Sequence, residues 1–385
     1  MGVSLKKPSK AIADDHEDGL ISQMPILGNL EQVNLADNMT YWQNRSLEIE
    51  SSSVGLFNTT FLSGVEVAIT SGNHSAFMRY KFPGPANSSF TPTAESAEMI
   101  TLNDAHVLID LTHVLPGYST QSYSQKFLHG ELHLRPAPNA TASPSYFGSA
   151  TYTGGWSQPE SHTIHFCGNF SVPRTSALTV SDAYVKPGPG TSVDGAGTFS
   201  WAYDRVHPPA FSARPTPMAY EDVKTYAGSG VGLGALFSWT PDSGSLGVNE
   251  IDHVLEAKVG ISYLSPEQAC SYIESELPSS KSFEDVVQQA RGEWEEKVLS
   301  KIEVVDDGGE SGQNTTLKRM LYSALYQTAL MPADKTGENP RWVSNDTKPY
   351  YDDFYASPPR SRKSSRTNIY RLFGISTEHC SHCTI

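Results

Sequence analysis

A chain of 385 residues with 38% hydrophobic content is long enough for two or three domains that each bury a core, so a disordered protein is not the expectation. A formal net charge of -14 argues against a nucleic-acid binder, because neutralising phosphates needs clustered Lys and Arg. No apolar run reaches the roughly eighteen residues that a membrane-spanning helix requires, which excludes such a helix.

The chain opens with MGVSLKKPSKAIADDHEDG, basic at first but without an apolar core, so no signal peptide is read there. An acidic cluster follows at Asp14, Asp15, His16, Glu17 and Asp18, and a second, Asp352 and Asp353, sits inside KPYYDDFYA. Carboxylates beside aromatic rings suit sugars, since rings stack on the pyranose while carboxylates accept hydroxyl hydrogen bonds or hold calcium. A solvated acidic turn explains each cluster equally well.

From about residue 50 to 263 the dominant period is two. Met78, Tyr80 and Phe82 alternate with Arg79 and Lys81, Val107, Ile109 and Leu111 with Leu108 and Asp110, and Leu255, Ala257, Val259, Ile261 and Tyr263 with Glu256, Lys258 and Ser262. These read as half-buried strands. Loops such as PGPANSSFTPT, RPAPNATASPS and KPGPGTSVDGAG separate them, which predicts a mainly β fold, a β-sandwich with a barrel as the alternative. Gly230, Gly232 and Ala235 match G-x-G-x-x-A formally, but LFSW and a proline follow instead of a helix, so a glycine-rich strand is expected.

Nine of the fifteen Asn residues begin an Asn-x-Ser/Thr sequon: Asn38, Asn44, Asn58, Asn73, Asn87, Asn139, Asn169, Asn314 and Asn345. Composition would give roughly three by chance, so N-glycosylation in the secretory pathway is expected, with unmodified Asn in a cytoplasmic protein as the alternative. Cys167 and Cys270 are either a pair or two buried thiols. Trp239 and Trp294 read as core.

After Tyr263 the period changes. Ser265 and Pro266 cap a helix that Pro278 stops, and Ser282 with Asp285 forms a variant capping box opening a second. The second carries an apolar stripe through Phe283, Val286, Val287, Ala290, Trp294, Val298 and Ile302, and a third helix near Asn314 carries Leu317, Met320, Leu321, Ala324, Leu325 and Leu330. Such stripes need further helices to cover them, and left bare they favour aggregation. The segment 356–385 is basic and without periodicity, and its terminal HCSHC offers zinc-type ligands but no folded context. Three divisions result: a β-sandwich at 1–263, the start of a helical domain at 264–355, and the basic tail at 356–385.

Several segments together resemble glycoside hydrolase family 92, the calcium-dependent exo-acting α-mannosidases, in its fungal branch. They are His16-Glu17-Asp18-Gly19, Ile21-Ser22-Gln23-Met24-Pro25, GVGLGALFSW ending at Trp239, AKVGISYLSPEQA from Ala257, EWEEKVLSKIEV from Glu293, TLKRMLYSALYQTALMP ending at Pro332, GENPRW, and PYYDDFY ending at Tyr355. The resemblance implies an N-terminal β-sandwich, an (α/α) toroid, and inverting hydrolysis of α-1,2-linked mannose on N-glycans. It also implies that His16 and Asp18, with Tyr351, Asp352 and Asp353, shape the sugar pocket rather than transfer protons. The acid and base carboxylates and the calcium ligands of the intact family are expected to be missing, making mannose-containing glycans the partner and activity absent. The alternative is a non-catalytic mannose-glycan-binding sandwich. Two departures stand out: Leu20 follows Gly19 where the family continues with a glycine-rich loop, and ASPPRSRKSS replaces the family's Trp-Asp-Thr motif after Tyr355.

Overall fold

In a computed structural model, residues 21–27, 41, 43–46, 49–83, 105–111, 126–135, 144–153, 161–173, 178–184, 198–200, 223–227, 231–241, 253–304, 312–328, 333–334, 338 and 351–352 are described. The chain divides into two units, Met1–Gln288 and Gln289–Ile385.

The first unit is a β-sandwich. Its strands are β1 (Ser22–Leu27), β2 (Ser51–Ser53), β3 (Leu56–Thr60), β4 (Glu66–Ser71), β5 (Ser75–Phe82), β6 (Ala105–Asp110), β7 (Lys126–Arg135) and β8 (Ser145–Thr153). They continue with β9 (His162–Ser171), β10 (Leu178–Tyr184), β11 (Thr198–Ser200), β12 (Val223–Ala227), β13 (Val231–Pro241) and β14 (His253–Ser262). One sheet has five strands, in the order β1-β6-β13-β10 with β11 also on β13, and the other has nine, in the order β12-β7-β8-β9-β14-β5-β4-β3-β2. Neither path closes on itself, so the sandwich holds and the barrel alternative does not.

The two sheets share one core. Met24, Val107, Ile109, Leu236 and Trp239 from the smaller sheet meet Met78, Tyr80, Tyr146, Phe166, Phe170 and Leu255 from the larger. Trp239 is fully buried, with its ring 5.0 Å from that of Phe170, as its place in an apolar strand predicts. The glycine-rich run forms β13, where Gly232 pairs with Phe199 of β11. A short strand there brings backbone close to backbone, the role a glycine in a strand usually serves.

Two helices cover part of the outer face of the larger sheet. α1 (Pro266–Glu276) is capped by Ser265, whose hydroxyl accepts from the Gln268 amide at 3.1 Å, and Pro266 takes the first helical position. α2 (Phe283–Lys297) begins with the capping box, Asp285 N donating to Ser282 Oγ at 3.1 Å and Ser282 N to Asp285 Oδ2 at 2.9 Å. Leu277, Phe283, Val286 and Val287 pack on Phe77 of β5, while Ala269 and Ile273 of α1 pack beside Cys167 of β9.

This cover corrects the half-buried reading of β14. Lys258, Gly260 and Ser262, on its supposed solvent face, are buried because α1 lies on them. Lys258 Nζ donates to the Leu277 carbonyl at 2.9 Å and sits 4.8 Å from the Phe77 ring centre, so burial lowers its pKa although Glu256 partly opposes the shift. A side chain at Gly260 would collide with the Ala269 carbonyl oxygen, so glycine sets how closely helix and sheet approach. Cys167 and Cys270 form a disulfide that joins β9 to α1, which decides the pairing left open by sequence.

In the second unit, Trp294 is half-buried rather than core, its ring 4.5 Å from that of Tyr326. The stripe of α2 is thus covered at Phe283–Val287 and fades along its length, Ile302 beyond it being 42% exposed. α3 (Gly312–Thr328) leaves Leu317 and Met320 each 62% exposed and Leu321 40% exposed, whereas Leu325 further along the stripe is half-buried. A two-stranded ladder, β15 (Ala333–Asp334) with β16 (Tyr351–Asp352), completes the unit's described elements.

Candidate functional site

His16 and Asp18 lie outside the described residues, which begin at Ile21, just before β1. Ser22 pairs with Asp110 of β6, and Gly234 of β13 pairs with Asp110 from the other side. These pairings mark one end of the smaller sheet.

Asp110 is the charged group at that end. Its carboxyl is 2% exposed and accepts a long hydrogen bond, 3.5 Å, from the Tyr41 hydroxyl at Oδ2. Tyr152 stands close by with its hydroxyl donating to the Leu111 carbonyl at 2.8 Å. Burial raises the Tyr152 pKa, and the Asp110 charge raises it further, so this phenol stays protonated and serves as a donor. Behind Ser22, Gln23 ties the strand to the opposite sheet: Tyr80 OH donates to its Oε1 at 2.8 Å, and its Nε2 donates to Tyr146 OH at 2.7 Å. Both phenols are buried and raised in pKa by desolvation, so a satisfied polar network fixes the start of β1 from within the core.

Periodicity reasoning passed over Asp110 by placing it on the polar face of a half-buried strand. β6 is buried along its whole length, including His106 and Asp110. The available signal was a lone carboxylate inside the apolar run VLIDL, since an ionisable group there needs partners.

A second polar constellation joins β5 to α1. Glu276 accepts from the His74 amide at 3.0 Å and from Ser75 Oγ at 2.6 Å, and its other oxygen lies 3.0 Å from His74 Nδ1. Burial pushes the Glu276 carboxyl upward, but the hydrogen bonds from His74 and Ser75 together outweigh it and hold it below the ordinary range. The His74 ring stacks on Tyr272 at 4.0 Å. The His74 amide and the Ser75 hydroxyl both donate to Glu276, so the arrangement clasps the turn before β5 to α1.

Of the other residues singled out by sequence, Tyr351 and Asp352 form β16, opposite Asp334 and Ala333, while Asp353 lies outside the described residues. Between these strands in sequence, Glu338 of the GENPRW segment is buried at 3% exposure, a carboxylate that the sequence reading did not single out. The terminal HCSHC also lies outside the described residues. Calcium takes about six to eight oxygen ligands. Among the described residues no three His, Cys, Asp or Glu side chains form a group that could hold a metal.

Comparison with known proteins agrees with this architecture. Residues 12–262 match the glycosyl hydrolase family 92 N-terminal domain, and residues 268–374 match the glycosyl hydrolase family 92 catalytic domain. A secreted glycosidase of Arthroderma benhamiae, itself uncharacterised, is 38% identical over 102 residues, which are 26% of this chain and 12% of that protein. The family GH92 alpha-mannosidase BT3965 from Bacteroides thetaiotaomicron aligns over 82% of this chain and 32% of its own, with a TM-score of 0.51 and 16% identity. The gh92 family glycosyl hydrolase ccman5 aligns over 87% of this chain and 36% of its own, with a TM-score of 0.52 and 14% identity. At such identities the likeness is one of fold, and the chain spans about a third of the length of these solved structures.

Proposed function

The chain belongs to glycosyl hydrolase family 92, and on that premise we propose that it is an α-mannosidase relative whose residues shape the sugar side of the site and do not themselves transfer protons. The observation that carries this reading is the ordered match of both family domains, 12–262 and 268–374, on a sandwich that leads directly into α1. The substrate class would be terminal α-mannose of N-glycans, in the α-1,2 linkage.

Inverting hydrolysis needs one carboxylic acid to protonate the leaving oxygen and a carboxylate roughly 6.5–9.5 Å away to activate water. Several carboxylates near the sandwich are already committed to other partners. Glu276 is held by His74 and Ser75, Glu256 and Glu284 by Arg79, Glu50 by Arg45, and Asp110 faces Tyr41. Glu276, against the upward push of its burial, and Glu284 are held below the ordinary range by their hydrogen-bond partners, which makes these two poor general acids near neutral pH. In this reading His16, Asp18, Tyr351, Asp352 and Asp353 are the residues that help shape the sugar pocket, as the family resemblance implies. In this family calcium would help distort the mannose ring.

The disulfide, the nine sequons and the secreted relative favour synthesis in the oxidising secretory pathway. The test is to incubate the purified chain with α-1,2-mannobiose, with calcium or with chelator, and to follow released mannose and saturable mannoside binding by NMR. Binding without release is expected. Release above background would overturn the non-catalytic part of the reading while leaving the substrate class, and neither binding nor release would sink the sugar-shaping role.

A further inference from the structure

Among the nine sequons the structure separates two kinds of position. Asn44 and Asn73 are exposed, Asn73 at the tip of the tight turn between β4 and β5, and Asn44 beside the isolated bridge from Arg45 to Phe61. Asn58 and Asn169 lie inside strands paired on both sides. Asn58 stands opposite Ser51 and Ala68, with its amide donating to Ser51 Oγ at 3.4 Å, and Asn169 stands opposite Ser145 and Lys258. Both are half-buried.

We propose that Asn44 and Asn73 are N-glycosylation sites of the folded protein, that Asn58 and Asn169 are bare, and that the Asn73 glycan is attached before α1 docks on the sheet. The inference rests on the secretory-pathway reading above. Transfer of an oligosaccharide forms a bond from Asn Nδ2 to the sugar's anomeric carbon, with a lipid-linked pyrophosphate as leaving group, and the enzyme reads the sequon's hydroxyl residue. The hydroxyl at Asn73 belongs to Ser75, which in the folded chain is 5% exposed and donates to Glu276 at 2.6 Å. Glu276 lies 201 residues further along, so the sequon is open while the chain is being made and closes when α1 packs.

Geometry also fits a glycan at Asn44. Leu62 N donates to the Asn44 carbonyl at 2.9 Å, and Leu62 and Ile49 are 62% and 56% exposed. β2, the edge strand of the larger sheet, is exposed along its length close by. Exposed apolar groups near the edge of a sheet invite association, and a bulky hydrophilic glycan shields them. At Asn169 the reverse holds. Cys167, two residues away on the same strand, is bonded to Cys270 of α1, so a glycan there would crowd the helix.

The test is to express the full chain behind a cleavable secretory leader and map the sites by mass spectrometry after enzymatic deglycosylation in heavy-oxygen water. Asn44 and Asn73 should convert to labelled Asp in most molecules, and Asn58 and Asn169 should not. An unmodified Asn73, or a modified Asn169, would overturn the assignment. Because the leader supplies the route, this result is separate from the secretory reading, which fails only if protein from its native source carries free thiols at Cys167 and Cys270. N73Q should remove one glycan mass and leave the disulfide intact, whereas its loss of folding would argue for a structural role instead. E276A frees the Ser75 hydroxyl: unchanged Asn73 occupancy supports attachment before docking, and a rise from partial to full occupancy would mean that docking and transfer compete.

Discussion

The central strands of the sandwich and α3 both carry apolar stripes, and the stripes end in opposite states. In the first unit, strands of period two bury both faces where they are central: β6 is buried throughout, and β14 lies under α1 on one side and in the core on the other. In the second unit α3 carries Leu317, Met320 and Leu321 on one stripe and leaves them to solvent. Hydrophobic residues stabilise only where a partner surface exists, at about 25 cal/mol per Å² removed from water. The same leucine is worth several kcal/mol in one unit and almost nothing in the other.

Trp239→Ala gives the largest contrast. It should cost about 3–5 kcal/mol in a urea titration, because the ring is fully buried against Phe170 and Phe237. Leu317→Ala should change stability by less than about 0.5 kcal/mol while reducing dye binding to exposed apolar surface. Equal costs for the two would break the contrast. Next in size is the disulfide. Its sequence separation of 103 residues is close to the length at which loop entropy alone contributes about 4.7 kcal/mol, and Cys167→Ser with Cys270→Ser should lower the melting temperature with a loss of about 2–5 kcal/mol.

Glu276→Gln should cost about 1–3 kcal/mol at neutral pH and also change the acid limb. The folded carboxyl lies below its unfolded value, so its contribution is present above about pH 4.3 and is lost as pH falls through the folded value. The variant should therefore show a shallower loss of stability below about pH 4.3, measured by unfolding across that range. The smallest effect expected is Ser265→Ala, about 1 kcal/mol from the lost cap of α1, with the Gln268 amide left unpaired.

Sequence carried the local rules well and the layering poorly. Ser265, Pro266, Ser282 and Asp285 announced two helix starts because capping is a contact between neighbours in the chain. Met78, Tyr80 and Phe82 announced β5 for the same kind of reason. Lys258 and Asp110 misled because period two reports which face a residue is on, but not whether a second layer covers that face. Cys167 and Cys270 could be paired only once α1 was seen lying on β9. Of the candidate site, the bonds of Gln23 to Tyr80 and Tyr146 were not legible, because they join residues far apart in the chain. The roles of His16, Asp18 and Asp353 fall outside the described residues, and Tyr351 and Asp352 are fixed only as backbone in β16.

The close seat of α1 at Gly260 bears on how the protein should be dissected. The family's N-terminal domain ends at residue 262 and its catalytic domain resumes at 268, which assigns α1 to the helical half. Packing assigns it to the sandwich: Ala269 rests on Gly260, Cys270 is bonded to Cys167, and Glu276 clasps the turn before β5. A fragment cut at the family boundary would strip the covering from Phe77 and leave Cys167 an unpaired thiol. A fragment carried through Val287 keeps the clasp, the disulfide and the Phe77 cover, so the seam marked by ancestry and the seam at which the protein can be divided lie about a helix and a half apart.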